Sequence, residues 1–108
     1  MNMQELAANS LEAEELLKAL ANSHRLMLLC ELKDGERSVS ALERVVPLTQ
    51  SALSQHLAKL REGGFVATRR EAQTIYYRLA DTRVARLIEV LHELFCAPAK
   101  SRTRRRSK

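Results

Sequence analysis

The chain has 108 residues, room for one domain, and its 45% hydrophobic and 29% charged residues match an ordinary globular domain. No apolar run approaches the roughly 18 residues of a membrane span, and Glu5 sits where a secretory signal would turn from basic to apolar, so no membrane is expected and the cytoplasm is. The net charge of +5 is uneven: residues 1–96 hold 12 Lys and Arg against 13 Asp and Glu, and the excess comes from six basic groups within residues 97–108.

That division predicts a domain over residues 1–97 and a basic, disordered tail over 98–108, either an arm that attracts phosphate or a solvated terminus. Positive charge gathers again between Lys59 and Arg78, where five basic residues face only Glu62 and Glu71. Cys30 and Cys96 are too few for a secreted disulfide framework, and no Cys-x-x-Cys pair suggests zinc; they are core residues or a reactive pair.

Leu6, Leu16, Leu17 and Leu20 recur at helical spacing through an Ala- and Glu-rich segment, which predicts one helix over about residues 4–21. A second helix starts at the Asn22-Ser23 cap and runs to about Lys33, with Leu26, Leu29 and Cys30 on one face before Asp34-Gly35 breaks it, so Cys30 falls mid-helix. A short third helix follows Ser38 or Ser40, carries Leu42 and Val45, and stops near Pro47. Thr49 caps a fourth, which buries Leu53, Leu57 and Leu60, presents Ser51, Ser54, Gln55 and Ala58 outward, and ends at Gly63-Gly64.

Then the period changes. Residues 65–70 and 74–79 are rich in branched and aromatic side chains, with Ile75, Tyr77 and Leu79 alternating against Tyr76 and Arg78, the pattern of a hairpin. Its tip, Glu71-Ala72-Gln73, lacks the Asn-Gly signal of the tightest turns and predicts a longer or irregular loop. Asp81-Thr82 caps a last helix with a strong apolar stripe of Val84, Leu87, Ile88, Leu91, Leu94 and Phe95, ended by Ala97-Pro98. The first and last helices offer more apolar surface than a small core uses, which a second copy would bury in a homodimer.

Two short helices followed by a basic hairpin make a mainly α winged helix-turn-helix, α-α-α-α-β-β-α, whose fourth helix would enter the major groove of duplex DNA. The outward Gln50, Ser51, Ser54, Gln55 and His56 suit base edges or phosphates, where a merely solvated face would more often carry Glu and Lys. Ser38, Lys59, Arg69, Arg70 and Gln73 complete the candidate DNA-contacting set. A partner-binding helical module is the rival; an enzyme fits poorly, for the sequence has no Gly-rich phosphate loop and no defensible Ser/His/Asp set.

ALANSHRLMLLCEL, then SVSALE, then TQSALSQHLAKLREGGFVATRREAQTIYYRL and a closing helix resemble the ArsR/SmtB family of dimeric bacterial repressors over nearly all of residues 10–96. The resemblance implies a winged-helix homodimer built on the first and last helices, which binds a palindromic operator and releases it when an inducer arrives. One metal-sensing pattern of the family has Cys-Val-Cys at the third helix, where this chain reads Ser38-Val39-Ser40. Another needs Asp and His at the start of the last helix and His and Glu near its end; here Asp81-Thr82-Arg83, Leu94 and Ala97 stand instead, so no metal and no cofactor is expected. His92 and His24 read as a surface residue and a capping or packing residue.

The positions of Cys30 and Cys96 are similar to those of the redox- and sulfide-responsive branch that includes the SqrR, BigR and HlyU regulators, and QSALSQHLA, RREAQT and the LFC ending carry the same likeness. The resemblance implies that the two thiols become linked, by a disulfide or a polysulfide bridge, when persulfide, polysulfide or peroxide acts as inducer, and that DNA affinity then falls. The residues alone leave open structural cysteines with another inducer or none, and which thiol attacks first.

Overall fold

Helices begin where a polar side chain can satisfy the first free N–H groups. In the computed structural model, which describes residues 2–96, Asn2 caps α1 (Met3–Ala8) and α2 (Ser10–Leu20) follows. Asn22 Oδ1 accepts from the His24 and Arg25 N–H groups, both at 3.1 Å, and opens α3 (Ser23–Glu31). Ser38 Oγ opens α4 (Val39–Val45), Thr49 Oγ1 opens α5 (Gln50–Glu62) and Asp81 opens α6 (Thr82–Phe95). Between them lie β1 (Arg37–Ser38), β2 (Val66–Glu71) and β3 (Thr74–Leu79). The basic tail expected over 98–108 lies outside the described residues, among which no helix is long and apolar enough to cross a membrane.

The expected single N-terminal helix is two, broken at Asn9, whose φ of −108° and ψ of 9° leave the helical path. Of its predicted stripe, Leu16 and Leu20 are buried while Leu6 and Leu17 are exposed. The second predicted helix ends at Glu31, two residues early, so Cys30 lies in the last turn rather than mid-helix. Val45 points outward at 49% exposure, and the neighbouring Val46 takes its place in the core. The hairpin turn is the tight two-residue kind: Glu71 pairs with Thr74, and Ala72 adopts a φ of 56°, a left-handed conformation that glycine ordinarily supplies.

The core is one leucine-rich cluster. Leu28 and Leu29 of α3, Leu42 of α4, Leu53, Leu57 and Leu60 of α5, and Val84 and Ile88 of α6 are all buried, with Phe65 and Val66 closing the start of the wing. An unpredicted strand, β1, joins the hairpin: the antiparallel order is β1-β3-β2, with Ser38 opposite Tyr76 and Tyr76 opposite Arg69. Because Ser38 belongs to β1 and caps α4, the wing is tied directly to the start of the α4–α5 pair. Not everything apolar is inside. No residue of α1 is buried, and Leu11, Leu17, Val90, Leu94 and Phe95 are 49–75% exposed on α2 and α6.

Candidate nucleic-acid interface and thiol pair

The α5 helix turns Leu53, Leu57 and Leu60 inward, so its period of 3.6 residues sends Gln50, Ser51, Ser54, Gln55 and Lys59 to solvent. None of these five side chains hydrogen-bonds to another of the described residues, which leaves their donors and acceptors available to a partner. His56 does not share that face. It is half-buried towards α3, its ring centroid 6.1 Å from that of His24 and tilted by 43°. Burial first, then the positive charges of Arg25, His24 and Lys59, hold the His56 pKa below its ordinary value. Arg25 itself is spent on α2, donating from Nε to the Ala19 carbonyl at 3.0 Å and from Nη2 to the Lys18 carbonyl at 2.8 Å.

Between α5 and the wing lies an open cleft of about 350 Å³. Ser54 and Gln73 both line it together with Leu57 and Ile75, and Ser40 and Thr74 add hydroxyls that the sequence pattern did not single out as contacts. Their only signal was polarity next to α5 and the turn. Ser38 stands apart from that rim, half-buried, its Oγ engaged as the α4 cap.

The wing cations divide into two kinds. Arg69 is engaged from several sides: Nε and Nη2 donate to the Glu36 carboxylate at 2.6–3.0 Å, Nη1 donates to Glu71 at 2.9 Å, and the guanidinium lies 4.5 Å above the Tyr76 ring. Those bonds hold the Glu36 carboxyl below, and the Arg69 guanidinium above, their ordinary pKa values. Glu36 thus joins Glu62 and Glu71 among the acids facing this basic region, a partner 33 residues away that local charge pattern missed. Arg70 and Arg78 are exposed and make no ion pair among the described residues.

The second feature joins the ends of two helices. Cys30, in the last turn of α3, is half-buried against the core; Cys96 caps α6 and is exposed; α3 and α6 touch. Both thiols are free, and they are close enough for a charge on Cys96 to act on Cys30. Burial, then Cys96 and Glu31, push the Cys30 thiol up, and Lys33 opposes them. At the start of α6 the Asp81 carboxylate is occupied, capping the helix and holding Arg83 at 2.6 Å.

The model of the bacterial regulatory proteins of the arsR family matches residues 22–68, from the α3 cap into the wing. The chain is 55% identical to the transcriptional activator HlyU of Vibrio cholerae over 96 residues, 89% of each protein. The chain belongs to the arsR family of bacterial regulatory proteins. Among solved structures of the family, the transcriptional repressor BigR of Xylella fastidiosa superposes with a TM-score of 0.83 at 42% identity, covering 91% of this chain and all of that one. A homodimeric winged helix-turn-helix DNA-binding domain from Mycobacterium bovis superposes with a TM-score of 0.72 at 38% identity, covering 82% of each chain. The winged helix-turn-helix of this arsR-family chain is therefore the fold of its relatives.

Proposed function

We propose that this regulator binds operator DNA in the cytoplasm as a homodimer and loses affinity when Cys30 and Cys96 are linked. The observation that carries the switch is the juxtaposition of one half-buried and one exposed free thiol at the ends of two touching helices. Gln50, Ser51, Ser54, Gln55 and Lys59 would face the major groove, with Arg70, Gln73 and Arg78 reaching the flanking backbone. Exposed leucines on α2 and the apolar end of α6 would pair the protomers, as the homodimeric relative supports.

Exposure makes Cys96 the first nucleophile and Cys30 the resolving thiol. With peroxide, the Cys96 thiolate breaks the O–O bond, expels hydroxide and becomes a sulfenic acid; Cys30 attacks that sulfur, and water leaves as the disulfide forms. With polysulfide, each thiolate breaks a sulfur–sulfur bond and expels hydrosulfide, leaving a bridge that keeps a sulfane atom. Either link draws the end of α6 onto the end of α3, and α3 also contacts α5. A change in the spacing of two reading helices lowers operator affinity without altering a contact residue. Typical couplings of about 1–3 kcal/mol correspond to about 5- to 150-fold.

The test is intact mass and DNA binding of the reduced protein after a persulfide donor and, separately, peroxide. A bridge between Cys30 and Cys96 accompanied by weaker binding, both lost in Cys30→Ser and Cys96→Ser, is expected. A bridged dimer that binds as tightly as the reduced one would return both cysteines to a structural role.

A further inference from the structure

We propose that Arg69 is a positioning residue of the wing, clamped by Glu36 and stacked on Tyr76, and that it orients the hairpin for DNA without itself neutralising a phosphate. The inference rests on the reading that α5 and the wing bind duplex DNA, and it assigns the wing's charges different duties.

Three observations converge. Arg69, Tyr76 and Ser38 lie opposite one another across the three strands, so the guanidinium sits on the row that also carries the α4 cap. Glu36 is two residues before Ser38, and both of its oxygens accept from Arg69 Nε. The hairpin is therefore fastened at its outer strand to the segment that leads into the helix-turn-helix pair. The local charge is the second point: the Arg69 guanidinium is held by two carboxylates, Glu36 and Glu71, and Arg78 also acts on Glu36, so the charge of Arg69 is already offset within the wing and its donors are committed. Third, Arg70 is opposite Ile75, whose side chain lines the cleft next to α5, and facing partners in an antiparallel pair share a sheet face. The unpaired Arg70 thus lies on the side of the wing turned towards the reading helix, whereas Arg69 lies on the other.

Planar, two-nitrogen contact with a carboxylate and stacking on an aromatic ring are properties of arginine that lysine lacks. Glu36→Gln and Arg69→Lys therefore separate a clamp from a phosphate contact. Two measurements decide it: amide hydrogen exchange of the free protein, and affinity across a salt series for a duplex selected by the reduced protein from a random pool and for a scrambled duplex.

Glu36→Gln is expected to speed exchange across β2 and β3 while α3, α5 and α6 stay protected. It should weaken binding to the selected duplex about two- to fivefold, although the protein gains positive charge. Arg69→Lys should behave alike, with the salt slope of both unchanged. Tighter binding by Glu36→Gln, or a slope for Arg69→Met reduced by about 0.9, the signature of one lost phosphate, would overturn the clamp. Unaltered exchange in the wing overturns it whatever the DNA results. A wild-type protein that binds both duplexes equally refutes the DNA-reading function instead, and exchange then decides the clamp alone.

Discussion

Gly63 is where α5 hands over to the wing, and replacing it with alanine sets two effects of opposite sign against each other. Its φ of −78° and ψ of −4° are helical, so alanine fits the backbone and, on propensity alone, stabilises by up to about 1 kcal/mol. A methyl there would stand 2.7 Å from Phe65 Cδ2 and nearer still to Cε2. The ring has little freedom to retreat: Phe65 is 7% exposed, its N–H donates to the Leu60 carbonyl, and its carbonyl accepts from the Ala80 N–H, both at 3.0 Å. Overfilling a packed site costs about 1–3 kcal/mol, which exceeds the propensity gain. The net expectation for Gly63→Ala is a loss of about 1–2 kcal/mol, a melting point lower by about 4–16 °C for a domain of this size. Circular-dichroism melts at matched protein concentration measure it, and Phe65→Leu in the same background should recover part of the loss through a favourable coupling. A Gly63→Ala protein that melts at or above the wild type would refute the reasoning, since it would show that the ring yields freely.

The remaining predictions concern the thiols, the histidine pair and the apolar faces. Limited alkylation at neutral pH should label Cys96 before Cys30, and Cys96→Ser should accelerate Cys30, because it removes one cause of the raised thiol pKa; equal labelling would contradict the assigned order. His56 has a folded pKa below 6.5, so it contributes stability that is complete above that pH and declines as pH falls towards the lowered value; denaturation of His56→Gln across pH 5–7 should show a flatter decline. Leu42→Ala should destabilise by about 2–5 kcal/mol, since that side chain is fully enclosed. Leu17→Glu, at a position 58% exposed, should leave helical content intact and shift sedimentation towards monomer; an unchanged dimer would remove α2 from the interface.

Much of the fold was legible because caps and period coincide. Asn22, Thr49 and Asp81 stand directly before the helices whose first N–H groups they accept from, and Leu53, Leu57 and Leu60 left α5 one inward face. The break at Asn9 was not legible: neighbouring alanines and glutamates favour helix, and Asn9 caps α2 without a side-chain bond. The β1 strand is too short for alternation to show, and Ser38 doubles as a cap. A turn carried by Ala72 instead of glycine hides from turn chemistry, since the pairing on either side imposes its φ. At the site, α5's outward residues follow from periodicity, but His56 sits at the margin of the buried face, where period alone cannot say which way a ring turns. The Glu36–Arg69 bond and the proximity of the thiols depend on tertiary contacts across 33 and 66 residues, beyond the reach of any local pattern.

The six residues of α1 include none that is buried, and a helix that short does not persist in water by itself. In the proposed dimer its order would come from the neighbouring protomer, so chain concentration would govern the N-terminus much as temperature governs the leucine core. Dilution would then fray the molecule from its first residues inward while α3 to α6 stayed closed. Cellular copy number would set how much of the population carries a finished N-terminus.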